Sequence, residues 1–553
     1  MKLKLTLIVF TACIILFGCT QPKIEYFVRP CKFVCDYPFN DTTKWAITCR
    51  VWGLLKYYHP NVTAGKLDWD KVLLERLKGI SYSSTPEMVN AELKKMLHAA
   101  GKYTQKKDRH WNDSLNMNVN LCWLDHSFLD DTLRQELKKI ASLSVKYPSY
   151  YGIDYGMGDD SIIHLMPQHE KKYDLDVVIP SFEYCLLSLF RYWNVIYYYF
   201  PHKYLMDTSW DQVLNESIFP FIRINDKQSY EIAFLKLAAT LNDGHAYTVH
   251  RSYLPVNLNA IEKVEEKTVI KIDKGGLNKG DIIHSIGKRE IDSIRDSLSA
   301  LISASTPGNK EYRINRYITE MVFFNETDVT ILRNGQKLKV HITPFPFEYE
   351  KPYLYKRITK DIGYVDLPLL TTEEIAPMFQ SLSDARGIIF DLRKHPRQPL
   401  YDMNQFFCYL SDQKVISIFL MALGHPEHPG AYLWKIPQII IPDSLKCTRF
   451  KGKILFLIDE STQSALETIA WEARVNFHAT LIGRPTSGAL GRIIKVPLPG
   501  FWASFSGFAL SSPDGSELQR KGILPDIEVY PTMESIKAGK DEILEAAIEY
   551  LNN

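Results

Sequence analysis

The sequence predicts a multidomain α+β protein, and three observations predict it. A helical pattern occurs twice at an offset of 141 residues, the pattern shifts to short alternating strands from about residue 254, and strands alternate with helices after residue 346. At 553 residues the chain has room for about three or four domains. Hydrophobic residues make up 46% and charged residues 24%, and the 10 Trp, 31 Tyr and 27 Phe can bury far more apolar area than a disordered chain carries. Sixty-six Lys+Arg against 64 Asp+Glu leave a net charge of +2 without a dense basic block, so nothing marks a nucleic-acid-binding face.

Residues 1–18 read as a leader. Lys2 and Lys4 form a basic head, and the apolar run at 5–17 is too short for a comfortable membrane span. The run ends in Leu16-Phe17-Gly18-Cys19, which resembles the bacterial lipobox. That resemblance implies cleavage before Cys19, lipid attachment to its thiol, and a tethered chain. Thr20 stands where an aspartate would favour inner-membrane retention, so the expected location is the outer membrane of a bacterial envelope. A plain secretory leader is the alternative. Beyond Cys13 and Cys19, the sequence holds Cys31, Cys35, Cys49, Cys122, Cys185, Cys408 and Cys447. Cys31 and Cys35 are close enough for a local disulfide, whereas the odd total and wide scatter argue against a disulfide framework and for five small buried thiols. No spacing is that of a metal site, and nothing calls for a cofactor.

The first two expected domains, 19–170 and 171–253, are the copies of a duplication. Trp52-Gly-Leu-Leu-Lys-Tyr-Tyr-His-Pro60 aligns without a gap on Trp193-Asn-Val-Ile-Tyr-Tyr-Tyr-Phe-Pro201, and Trp69-Asp70 aligns on Trp210-Asp211. Apolar residues three or four apart (Trp45, Cys49, Trp52, Leu55; Leu186, Leu189, Trp193, Ile196) make each copy a helical bundle. Pro60 and Pro201 end the first helices, and Thr85 with Pro86 starts a later one. The copies differ where the second reads Asp243-Gly244-His245 and the first has Thr104 in the place of His245. An imidazole present in one copy is not required for packing; it is either an ordinary loop histidine or a functional one.

Residues 254–346 hold Gly280-Asp281-Ile282-Ile283 and two alternating runs joined by Asn334-Gly335, a hairpin signal. They resemble a PDZ domain, which implies a module that takes a peptide as an added strand. A β module that only bridges domains is the other reading. In the last expected domain, 347–553, the continuous apolar run 453–458 is a strand buried on both faces, and it gives way at 459–463 to a helix opening at Ser464. Ser464 therefore has a local position suited to an acyl-transfer nucleophile, beside unpaired helical N–H groups and the positive end of the dipole. Ser464-x-x-Glu467 is equally a capping box, and local pattern leaves both readings open.

Gly-Tyr-Val-Asp-Leu367, Ile-Ile-Phe-Asp391-Leu-Arg, Thr-Gln-Ser464-Ala-Leu-Glu467 and Gly522-Ile-Leu-Pro-Asp526-Ile follow one another behind the PDZ-like segment. The ordered set resembles the tail-specific (C-terminal processing) serine protease family over roughly residues 230–550. The resemblance implies a crotonase-like α/β protease core with Ser464 as nucleophile. In one branch the base is a lysine about 25 residues on, where this chain has Gly488-Ala489-Leu490; Lys495 is the nearest lysine and reads as an outward strand residue. The other branch, similar to the tricorn protease core, uses a histidine in a segment matched by Asp243-Gly244-His245-Ala246, so His245 is the expected base. A glutamate orients the ring in that branch, and Gln519 stands in its place, with Glu517 and Asp243 as further candidates. The oxyanion hole is expected from the backbone N–H of Ala465 and from the loop after Asp391-Leu-Arg, at Arg397. The expectation is an envelope serine endopeptidase acting on peptide or protein; the rival is a catalytically silent peptide-binding scaffold of the same fold.

Overall fold

The computed structural model describes residues 38–104, 116–146, 148–153, 165–167, 169–179, 181–249, 259–344, 353–394, 403–411, 415–417, 420–435, 438–440, 445, 447–512 and 516–553. The expected leader at 1–18, Cys19, Cys31, Cys35 and Arg397 lie outside them. Among the described residues no helix is long and apolar enough to cross a membrane.

The duplication is visible helix by helix. Asp41–Tyr58, Trp69–Tyr82 and Pro86–Ala100 in the first copy answer to Phe182–Tyr199, Trp210–Ile222 and Lys227–Ala239 in the second, with starts offset by the same 141 residues. The paired tryptophans explain their own recurrence. The Trp52 indole N–H donates to the Trp69 carbonyl at 3.1 Å, and the Trp69 indole donates back to the Trp52 carbonyl at 3.0 Å. Trp193 and Trp210 repeat that exchange at 2.8 and 2.9 Å. Each pair staples two helices while satisfying the polar end of a buried aromatic.

The two bundles also exchange charges reciprocally. Arg50 of the first pairs with Asp211 of the second at 2.7 Å, and its counterpart Arg191 pairs with Asp70 of the first. Gly53 and its counterpart Asn194 meet at the crossing, where a Cβ on Gly53 would fall 1.7 Å from Asn194 Oδ1, so only glycine permits the approach. The Asp70 side is the more elaborate. Glu170 takes Lys56 at 2.7 Å and Arg191 Nε at 3.0 Å, and Arg191 also donates to the carbonyl of Pro497 at 2.9 Å. These charges are buried, so removing one strands the others. Arg191→Met is expected to cost about 3–5 kcal/mol, read as a lowered denaturant midpoint of the helical signal.

The segment 261–342 forms a six-stranded sheet with helices Ile291–Ser299 and Pro307–Phe323. Asn334 and Gly335 both have positive φ (52° and 81°), the two-residue turn that joins Thr327–Arg333 to Gln336–Ile342. In the C-terminal core, Ile527–Glu528, Thr480–Gly483, Lys453–Ile458, Gly387–Asp391 and Ile362–Asp366 lie parallel in that spatial order, and Tyr355–Arg357 is an antiparallel edge. Helix Ala465–Phe477 packs on one face and Glu542–Asn552 on the other, which is why Gly387–Asp391 is buried at every position. The expectation of five isolated thiols needs correction. Cys408 and Cys447 form a disulfide across 39 residues, Cys49 and Cys185 are buried thiols, and Cys122 is exposed. Helix Met403–Cys408 and the approach to strand Lys453–Ile458 meet only in three dimensions, so spacing could not pair these cysteines.

Candidate active site

Ser464 lies where the buried strand Lys453–Ile458 turns into helix Ala465–Phe477, and it closes a capping box with Glu467 from an unusual backbone. The side-chain-capping residues Asn40, Thr85 and Thr306 have extended backbones (φ −156°, −133° and −125°), whereas Ser464 has φ 61° and ψ −121°. A non-glycine residue there costs about 1–3 kcal/mol and persists only where its surroundings over-determine it. Here they do. Ser464 N–H donates to the Ala489 carbonyl at 3.0 Å and to Glu467 Oε2 at 3.0 Å. The turn before it is tied down by Thr462, whose hydroxyl donates to the Leu392 carbonyl at 3.1 Å. The backbone N–H of Ala465 stands at the first helical position beside it.

Glu467 does more than cap. Its buried carboxylate also accepts from Gly488 N–H at 2.7 Å, Ala489 N–H at 3.1 Å and the Thr486 hydroxyl at 2.5 Å, and so binds the 486–489 loop to the Ser464 turn. Burial outweighs these donors and pushes its carboxyl up to about 7. Between pH 4.5 and 7 the folded chain therefore keeps a proton that the unfolded chain has released, and this group's contribution to stability falls as pH rises. Across that window wild type should lose about 3 kcal/mol relative to Glu467→Gln, measured by denaturant titration at each pH.

His245 reaches the core through the chain that follows it. Thr248–Val249 pairs with strand Phe501–Ser506, which itself pairs with Ile493–Leu498. The ring is buried, and its Nδ1 lies 2.8 Å from Ser506 Oγ. Ser506 donates its hydroxyl to Asp243 Oδ1 at 2.8 Å and its N–H to Asp243 Oδ2 at 2.7 Å, while Asp243 Oδ1 also accepts from His245 N–H at 3.0 Å. A hydroxyl that gives its proton to a carboxylate can only accept from the ring. Nδ1 therefore carries the hydrogen and Nε2 the lone pair, the tautomer a base needs. Burial holds nearby His202 at about 4, so that second imidazole is neutral near pH 7.

The histidine and serine loops are joined directly. Gln463 Nε2 donates to the Gly244 carbonyl at 3.1 Å. Arg313, on helix Pro307–Phe323, donates to the Gly244 carbonyl, to Gln463 Oε1 at 3.2 Å and to the Ser303 carbonyl at 3.1 Å. Gly244 N–H donates to Ser305 Oγ at 2.8 Å. Gly244 packs so closely that a Cβ would come within 2.7 Å of Ala489 Cβ. Ala489 stands where the lysine branch of the resemblance carries its base, and here the histidine loop fills that space. Gly244→Ala must push the two loops apart, and a misplacement near 1 Å costs about a hundredfold in kcat/KM on a peptide substrate.

The other expected residues fall elsewhere. The Gln519 amide oxygen accepts from Leu490 N–H at 3.0 Å, and its nitrogen donates to Asp243 at 3.4 Å. Glu517 accepts from the Tyr204 hydroxyl. Lys495 sits on strand Ile493–Leu498 between buried Ile494 and Val496, its N–H bonded to the Leu165 carbonyl at 2.8 Å. Arg397 lies outside the described residues. Ser506 escaped the sequence reading, because a serine in an alternating strand has no local signal and acquires its partners from strand register.

Residues 361–529 match peptidase family S41. No curated protein matches the chain. Among solved structures, mature CPAF bound to lactacystin is 13% identical over 67% of this chain and 97% of that one, with a TM-score of 0.51. Mature CPAF alone is 13% identical over 67% and 96%, with a TM-score of 0.52. A putative peptidase from Parabacteroides merdae is 18% identical over 68% and 97%, with a TM-score of 0.43. At this identity the likeness to CPAF is one of fold.

Proposed function

We propose, from the premise that residues 361–529 are a peptidase family S41 domain and the chain a serine-type peptidase, that it is an endopeptidase with Ser464 as nucleophile and His245 as general base. His245 Nε2 takes the Ser464 proton as Oγ attacks the scissile carbonyl carbon. The resulting oxyanion is met by the Ala465 N–H. The C–N bond then breaks, His245 protonates the leaving amine, and a water deprotonated by the same nitrogen hydrolyses the ester. Ser506 and Asp243 hold the ring, and Asp243 offsets the imidazolium charge. The single observation that carries this reading is the hydrogen-bonded path His245–Ser506–Asp243, which leaves Nε2 basic beside a loop bonded to the residue before Ser464.

The 261–342 sheet, PDZ-like in its sequence, would take the peptide as an added strand. Lipidation at Cys19 would tether the enzyme to the outer membrane of a bacterial envelope, and the Cys408–Cys447 disulfide favours an oxidising compartment. Incubation with an unfolded protein substrate tests the activity. Wild type should release internal peptides and Ser464→Ala none; equal cleavage by both would contradict the reading, and binding without cleavage by either would favour a silent scaffold.

A further inference from the structure

At the offset of 141 residues Asn61 answers to His202 and Lys102 to Asp243, so the duplication offers an internal comparison beside the site. In the first copy Asn61 has a structural task. Its amide nitrogen donates to the carbonyls of Ala100 and Lys102, both at 2.9 Å, and closes the end of helix Pro86–Ala100. In the second copy that task has passed to another module. The Asp243 carbonyl accepts from the Ser303 hydroxyl at 2.9 Å, and the Asp243 N–H lies 3.1 Å from the same oxygen.

His202, relieved of capping, turns to the chain that carries Ser506. Its Nε2 lies 3.3 Å from the carbonyl oxygen of Phe508, two residues past Ser506. A carbonyl only accepts, so Nε2 carries the ring hydrogen and Nδ1 the lone pair. The ring is buried and neutral near pH 7, and among the described residues Nδ1 has no hydrogen-bond partner. Filling the space does not call for an imidazole, because an apolar side chain of similar size would leave no buried acceptor unpaired. What the histidine adds is the donor to Phe508.

We infer that His202 is a positioning residue for the reaction proposed above, and the inference rests on that reading. By holding the Phe508 carbonyl it fixes where the chain leaves strand Phe501–Ser506. The Ser506 hydroxyl is thereby kept between His245 Nδ1 and Asp243 Oδ1, 2.8 Å from each. Without that donor Ser506 can shift, and the ring hydrogen of His245 loses its acceptor. The test is the rate at which a fluorophosphonate labels Ser464 in the full chain, with the denaturant midpoint of each variant measured alongside. His202→Leu, and His202→Asn with the residue of the first copy and a shorter reach, should each label about tenfold more slowly, the loss of one orienting hydrogen bond. His202→Gln places an amide N–H near the position of Nε2 and should keep the wild-type rate. In a Ser506→Ala background His202→Asn should cost nothing further, which a general loosening of the fold would not reproduce. Should His202→Leu fail to fold, the two polar variants carry the test. Wild-type labelling in His202→Asn, a His202→Gln as slow as His202→Asn, or an undiminished loss in the Ser506→Ala background overturns the inference while His245→Ala remains slow. Wild-type labelling in His245→Ala would instead sink the assignment of the base, and this inference with it.

Discussion

Ser464→Ala and His245→Ala should each lower kcat for peptide hydrolysis by about a million-fold, and the double variant should be hardly worse than either. The near-equality follows from the roles. Without Nε2 the serine keeps its proton, and without Oγ the ring has nothing to activate, so either loss removes the same covalent route. What remains comes from binding and the Ala465 N–H. Both variants should keep the wild-type unfolding free energy to within about 2 kcal/mol, because Ser464 lies in a turn held through its backbone and through Glu467. A large loss of stability would instead mark the pair as structural.

Asp243→Asn carries the second largest expected effect, a fall in kcat of about ten-thousand-fold. Asp243 accepts from His245 N–H, from Ser506 N–H and from the Ser506 hydroxyl. An asparagine offers one acceptor oxygen in place of two and presents an N–H2 toward existing donors. Ser506 can then rotate and give its proton to Nδ1, which would move the ring hydrogen to Nε2 and silence the base. The carboxylate's attraction for imidazolium is lost as well. Gln519→Ala removes only a support at 3.4 Å and should cost about tenfold or less. The ratio between these two variants, measured as kcat at saturating peptide, separates an Asp243-centred relay from one centred on Gln519.

Much of the architecture was legible because it rests on short-range pattern. The tryptophans at 52 and 69 recur at 193 and 210 because each pair must close the same reciprocal indole–carbonyl exchange. The strand at 453–458 and the helix after Ser464 announce themselves through an apolar run followed by a capping pattern. The difference between copies, His245 against Thr104, drew attention to the imidazole without showing what holds it. The rest depends on tertiary register. Ser506 is one small residue in an alternating strand until Phe501–Ser506 is laid against Thr248–Val249. Glu467 reads as a cap until the 486–489 loop folds over it, and the bond from Gln519 to Asp243 joins residues far apart in the chain. Arg313 belongs to a different module, and no spacing could relate it to Gly244.

Covalent labelling with a fluorophosphonate probe tests the union of Ser464 and His245 most directly, because the probe needs an activated hydroxyl and no knowledge of the substrate. The account predicts a single adduct on Ser464 by peptide mass spectrometry, absent in Ser464→Ala, slowed at least about a hundredfold in His245→Ala, and unchanged in Lys495→Ala. Labelling of Ser464 at the wild-type rate without His245, or its loss with Lys495, would contradict it.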